Sequence, residues 1–393
     1  MNDFASDIDF ASNPLPGARM HEALRELREQ GPLARATFGG QPGYLITRFE
    51  TLIEGFQDTI TFPPATLYQN SIAKIIGPNF QSMEGAEHTL YRRLATPAFR
   101  SRAIERYGEE AMADLAHELL AQLDGKKEAD LVASFTHFFP FFVICRLIGV
   151  PRGNEHEYQR WAWEMLGAPG TPIQDSHRAA AEFTRHLTPA IEARRHEPQD
   201  DVISALLQAE VDGRTLTDEE ILSNVRLMFS AGATTTLDAI GSMLYLLLTE
   251  GDWWQQIVES PELRAGAIHE VLRYETPVPN LPRVSSTEAV EFAGHKLAPS
   301  TTVLFSMAAA NRDPDVYEDP DHFDPTRPQS QLLTFGRGER SCPGMHLARK
   351  EMAVALDAII DHFPNLHLRG DPTRAAPCGA IVRGPKTLPV ALG

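Results

Sequence analysis

The sequence predicts a mainly α-helical fold with a minor β region, and three observations lead to that expectation. Helical periodicity and helix-boundary residues dominate from about Glu87 to Tyr274. Strand-like pieces lie near the N-terminus and again after Tyr274, where prolines at 277, 279 and 282 prevent a helix. A helical pattern that opens at Thr217 runs to about Thr249, unusually long for a globular helix, and is expected as the long central helix.

In chain order, Leu33 to Thr37 and Tyr44 to Thr47 flank Gly39-Gly40-Gln-Pro-Gly43, the pattern of a β-hairpin. Ala103 to Leu123 is periodic and ends at Gly125, a helix-stop residue. Ser176 to His196 reads as another helix. Thr217-Asp-Glu-Glu220 reads as a capping box, with Thr217 as the cap and Glu220 at the third helical position. Ala289 to Phe292 and Thr301 to Phe305 read as short strands. Asn311 to Pro328 is rich in Asp and Pro and is expected to be irregular but ordered. A last long helix is expected from about Met345 to Phe363. The N-terminal strands need partners from the C-terminal half, so the expectation is a single domain over residues 1–393 with a small sheet built from both ends.

The 393 residues suffice to bury a large core and enclose a cofactor, and 42% hydrophobic with 23% charged residues is ordinary globular composition. A formal net charge of −17 argues against nonspecific nucleic-acid binding. Three cysteines with no CxxC pair make neither a disulfide framework nor a zinc ribbon. Met1 to Pro16 is acidic and lacks the basic and apolar regions of a secretion signal. The longest apolar run, Met243 to Leu248, is far short of the ~20 residues a membrane helix needs. A cytoplasmic protein without a membrane anchor is therefore expected.

The strongest local signal is Phe335-Gly-Arg-Gly-Glu-Arg-Ser-Cys-Pro-Gly344. Glycines at 336, 338 and 344 allow close approach and positive φ around the sulfur of Cys342, and Pro343 removes a donor and stiffens the turn. The helix beginning just beyond is expected to bring its N-terminal amides near the sulfur, where partial positive charge favours thiolate. The loop does not match a phosphate-binding loop, which needs Lys followed by Ser or Thr.

This string resembles the haem-binding pattern of cytochromes P450 at Phe335, Gly338, Arg340, Cys342 and Gly344. The resemblance implies haem b with Cys342 as its axial thiolate, and a thiolate donates electron density that favours O–O cleavage. Further motifs occur in the family's order. Glu270-Val-Leu-Arg273 is similar to the family's E-x-x-R pair, a structural support rather than a catalytic acid. His88 and Arg92 resemble its propionate-binding H-x-x-x-R helix, with Arg283 and Arg340 at further propionate positions.

Ala231-Gly-Ala-Thr-Thr-Thr236 resembles the segment that faces the oxygen-binding side of the haem. Ala231 and Gly232 would leave room for a diatomic ligand and a local helix distortion. Thr235 aligns with the threonine that hydrogen-bonds the oxygen unit. Thr234 stands where an acidic residue is usual, and a relay through Thr234, Thr235 and water is expected. Three threonines back-bonded to helix carbonyls are the alternative.

By the same resemblance the substrate is a small or medium apolar molecule above the haem. Its pocket is expected from the segment Phe62 to Met83, from Met228 and Ala231, from Val278 to Leu281 with Asn280 as a polar anchor, and from the late turn Cys378 to Ile381. The implied activity is monooxygenation, by hydroxylation or oxidative demethylation. Peroxygenase or other haem-thiolate chemistry is the alternative that Thr234 suggests, and a non-catalytic haem-based ligand binder is a second. The sequence has no flavin or iron–sulfur motif. NAD(P)H-derived electrons for O2 activation are therefore expected from a separate ferredoxin and its reductase, steered by Arg100, Arg102, Arg337, Arg349 and Lys350. The chain is expected to be a monomer.

Overall fold

The computed structural model describes residues 8–99, 109–151, 153, 155–166 and 171–393. Strands β1 (Leu33–Phe38) and β2 (Gln41–Ile46) pair antiparallel, with Leu33 opposite Ile46 and Phe38 opposite Gln41. Their turn is Gly39-Gly40 alone, at φ of 61° and 72°, the two positive values that a type I′ turn requires. Gln41 to Gly43, expected in the turn, therefore belong to the strand. The Asp9 carboxylate accepts from the Gly39 and Gly40 amides at 2.8 and 2.7 Å, which fixes the turn.

The hairpin is completed from the far end of the chain. β2 pairs in parallel with β4 (Thr302–Ser306), Tyr44 beside Val303, and β4 pairs antiparallel with β3 (Asn280–Val284). The order β1-β2-β4-β3 thus draws on both ends of the chain. A smaller three-stranded sheet joins Glu128–Asp130 to His367–Leu368 and Pro389–Ala391.

The helices relevant to the site are α1 (Gly85–Ala95), α2 (Phe139–Ile148), α3 (Asp218–Thr249), α4 (Arg264–Tyr274) and α5 (Met345–His362). α3 opens as the sequence predicts: Thr217 Oγ1 accepts from the Glu220 amide and Glu220 Oε2 from the Thr217 amide at 2.7 Å. It packs on α2, α4 and α5. It is the one described helix long and apolar enough to cross a membrane, but 72% of its most apolar stretch is buried inside the fold. The helix expected from Ser176 begins at Ile173, ends at His196 and continues through Pro189, which withholds one amide from the ladder. Of the helix expected from Ala103 to Leu123, Glu109–Ala121 is described; residues 103–108 lie outside the described residues.

The Asp- and Pro-rich stretch after Asn311 has no helix or strand, yet it is pinned from α4. Glu270 and Arg273 are 2% and 1% exposed and form a bidentate pair, both bonds 2.7 Å. The Arg273 guanidinium also donates to the carbonyls of Asn311, Pro320 and His322, and Glu270 accepts from the Asp324 amide at 2.9 Å. A salt bridge buried to this degree is sustained because every remaining donor and acceptor is used. The pair ties α4 to the irregular stretch after Asn311.

Candidate active site

α3, the cysteine loop and strand β3 enclose a cavity of about 290 Å³. Its walls are chiefly apolar: Met228 and Ala231 from α3, Val278 and Leu281 at the start of β3, with Phe80 and Met307. Thr235 borders it, its Oγ1 donating to the Ala231 carbonyl at 3.2 Å.

Cys342 lines this cavity and is exposed to it. The loop is held by the Cys342 amide donating to the Phe335 carbonyl at 2.8 Å and the Gly336 amide to that of Leu333 at 2.9 Å. Gly336 and Gly338 adopt φ of 67° and 75°, as expected, whereas Gly344 does not, its φ being −84°. Gly344 serves instead by proximity: a Cβ there would lie 3.8 Å from the sulfur. Burial pushes the Cys342 thiol up, while the Gly344 amide and the Arg92 charge pull it back. The loop amides alone therefore do not secure a thiolate; a metal cation at the sulfur would. Phe335 lines the cavity and carries the Arg349 guanidinium over its ring at 5.2 Å.

Four basic side chains gather at one side. Arg92, Arg283 and Arg340 line the cavity, and His88 is 1% exposed with neither ring nitrogen hydrogen-bonded. Burial, with the charges of Arg340 and Arg92, holds His88 down at about 4. Arg340 is oriented by the carbonyls of Phe80, Gln81 and Met83, which leaves its Nε without a bond. Arg283 is 4% exposed and lies over the Tyr68 ring at 5.6 Å. The half-exposed Glu339 carboxylate lies 3.6 Å from Arg340 Nε and 3.8 Å from His88 Nδ1, so one carboxylate faces several basic groups and a further anion would stabilise them. A soft sulfur, a basic wall in which the His88 ring and Arg340 Nε make no hydrogen bond, and apolar sides suit a flat apolar ring with a metal at its centre and carboxylates at its edge. That is the chemistry of haem.

Several expectations need correction. Thr234 is 1% exposed, donates to the Ser230 carbonyl at 3.3 Å and does not border the cavity; Thr236 does. Successive helical residues point 100° apart, so a run of threonines cannot all face one way. Gly232 borders the cavity, but its missing side chain also admits α2: a Cβ would lie 2.8 Å from Ile144 Cγ1. α3 runs through this point as unbroken α-helix, without the expected distortion. Asn280 is fully buried and donates from Nδ2 to the Ala380 carbonyl at 2.8 Å, tying β3 to the late turn. Neither it nor Ile381 lines the cavity. Phe62 lies in an aromatic cluster with Phe292 and Phe305.

Among the steering residues, Arg349 is turned onto Phe335, Lys350 pairs with Glu109 at 2.6 Å, and Arg337 is half-buried. Arg100 and Arg102 lie outside the described residues. Sequence reasoning missed Glu351, which borders the cavity, is 1% exposed and hydrogen-bonds Thr236. The signal was present: Leu347, Glu351, Val354, Ala355 and Ala358 form one buried stripe of α5, with a carboxyl where an apolar residue belongs.

Known proteins share this arrangement. The chain is 31% identical to cytochrome P450 107B1 of Saccharopolyspora erythraea over 95% of each chain. It is 32% identical to the mycinamicin IV hydroxylase/epoxidase of Micromonospora griseorubida over 96% of this chain and 97% of that one. The solved structure of the Bacillus subtilis bacillaene polyketide synthase cytochrome P450 PksS superposes with a TM-score of 0.88 at 29% identity, covering 95% and 96% of the two chains. The cytochrome P450 family model matches residues 12–390. With the cysteine loop, the buried Glu270–Arg273 pair and the basic wall in the family's order along one fold, the chain belongs to the cytochrome P450 family, the haem-thiolate monooxygenases.

Proposed function

We propose that this enzyme is a single-domain, cytoplasmic monomer over residues 1–393 that inserts one oxygen atom into a small or medium apolar substrate, by hydroxylation or oxidative demethylation. The observation that carries the reading is the pairing of an open Cys342 sulfur with a buried, unbonded His88 and three arginines around one apolar cavity. Cys342 would hold the iron of haem b, with Phe335, Gly338 and Gly344 shaping the loop. His88, Arg92, Arg283 and Arg340 would hold the propionates. Bound there, haem supplies the reductive activation of dioxygen, one atom of which enters the substrate while the other leaves as water.

The chain's own residues set the conditions for that chemistry. Met228, Ala231, Val278 and Leu281 exclude water and orient an apolar substrate by shape. Thr235 presents a hydroxyl to the same space, and Gly232 leaves the adjoining wall low. Electrons would come from NAD(P)H through a ferredoxin and its reductase, with Arg337 on the cysteine loop as a contact for an acidic partner. The relative named mycinamicin IV hydroxylase/epoxidase supports oxygen insertion.

The carbon-monoxide difference spectrum of the dithionite-reduced protein tests this. A strongly red-shifted Soret band is expected in wild type and is absent in Cys342→Ala. A band typical of histidine-ligated haem in folded wild type would overturn the assignment of Cys342.

A further inference from the structure

The helix Glu109–Ala121 packs along α5, and two contacts show that the pair runs parallel. Lys350, in the second turn of α5, pairs with Glu109 at the start of the other helix. His362, the last residue of α5, meets His117, one turn before that helix ends. Parallel packing brings both C-termini, with their partial negative charges, to one end of the molecule. Like ends repel, and a cation set between them relieves the repulsion.

Two imidazoles stand at that end. His362 Nε2 lies 3.1 Å from His117 Nδ1, with ring centroids 5.2 Å apart and planes tilted by 36°. The other nitrogen of His362, Nδ1, lies 3.4 Å from Asp124 Oδ1. The turn that closes the helix places this carboxylate: the Asp124 amide donates to the Ala121 carbonyl at 3.2 Å, and Gly125 follows at a φ of 75°. A carboxylate at Nδ1 keeps the ring proton there and leaves the Nε2 lone pair facing His117. The His362 side chain is 19% exposed, so an ion can reach it from solvent.

We propose that His117 Nδ1 and His362 Nε2 bind a divalent transition-metal ion of the kind that favours imidazole, zinc being its representative, with Asp124 as the outer partner of the site. Two zinc–nitrogen bonds of about 2.1 Å at a tetrahedral angle set their nitrogens about 3.4 Å apart. The ion therefore enters by parting the pair only slightly. The proton between the facing nitrogens moves through solvent to His117 Nε2, and both rings stay neutral. Among the described residues no third histidine, cysteine, aspartate or glutamate joins the pair as a ligand, so water completes the shell and the ion stays exchangeable. Magnesium and calcium, which prefer oxygen ligands, are not held. The ion fastens α5 at the end opposite the cysteine loop, where both segments continue into the three-stranded sheet.

The test is calorimetric titration of the untagged, haem-loaded enzyme with zinc chloride, in wild type, His117→Gln, His362→Gln and Asp124→Ala. Wild type should bind a zinc ion that neither histidine variant retains. Asp124→Ala should bind it about ten- to a hundredfold more weakly, the range for a lost partner of a metal-bound histidine. The urea midpoint of wild type should rise with zinc, that of His362→Gln should not, and magnesium should move neither. Crystals soaked in zinc should show an anomalous peak between the two rings. Haem absorbance that zinc leaves unchanged reports that each protein is folded and that Cys342 is not the ligand.

Equal zinc affinity in wild type and both histidine variants would put the ion elsewhere. A stabilisation matched by magnesium would reduce the site to surface charge, and a crystal peak without calorimetric binding would mark an adventitious ion only. Each of these overturns the proposal, as does a wild type that takes up no zinc. Where a histidine variant fails to fold, wild-type calorimetry together with the position of the crystal peak decides. The outcome is independent of the monooxygenase reading.

Discussion

At the scale of single residues, the site is governed by charge held out of water. His88 is the sharpest case, a ring sealed in the fold with both nitrogens unbonded and two arginines beside it. Glu339 stands 3.8 Å from Nδ1 without a hydrogen bond, and an arriving carboxylate that made one would favour protonation further, so the contribution of His88 should appear in cofactor retention. His88→Phe keeps the volume and removes the donors. Haem should leave this variant roughly ten- to a hundredfold faster, the cost of one charge-assisted hydrogen bond, as measured by transfer to a haem scavenger. Cys342 and its glycines were legible in the sequence because a tight turn around a sulfur is a local demand. Thr234 was misread because adjacency in sequence does not reveal which way a helical side chain points, and the neighbours that bury it lie far along the chain.

At the scale of elements, close approach decides which residues are small. α3 and α2 meet at Gly232, where the Ile144 side chain fills the space that a Cβ would need. Gly232→Ala should therefore destabilise the protein by about 1–3 kcal/mol through overpacking, despite the better helix propensity of alanine. Adding Ile144→Val should recover part of that loss, which urea unfolding of both variants would measure. Capping and turn chemistry were readable in advance, as Thr217, Glu220 and Gly39-Gly40 attest, since each depends on residues within one turn. The passage of a helix through Pro189 was not, because the packing that tolerates it comes from other elements.

At the scale of the whole molecule, distant segments are fastened by a few buried ions. His21 Nε2 lies 3.0 Å from Glu275, whose other oxygen accepts from Arg383, and Arg383 donates to the carbonyls of Leu15 and Gly17. Burial leads in holding His21 down at about 4, against an ordinary value of 6.5. Arg383 and His21 hold Glu275 at about 2 despite its burial. A buried base lowered in this way contributes stability that is complete above 6.5 and is lost as pH falls toward 4. The protein should thus weaken progressively below pH 6.5, and His21→Gln, which cannot charge, should flatten the upper part of that decline in urea midpoints measured across pH. The sequence indicated that a sheet drew on both ends, from the logic of unpaired strands, but not this clasp, since nothing local marks His21 and Arg383 as partners. The clasp also sets an order of events during synthesis. Arg383 and Leu15 are 368 positions apart, so the first segment leaves the ribosome long before its anchor exists. The N-terminal hairpin likewise waits for β4. The segment around Leu15 must wait for Arg383 before this clasp can close, and a nascent chain cut short before Arg383 would leave that segment unfastened.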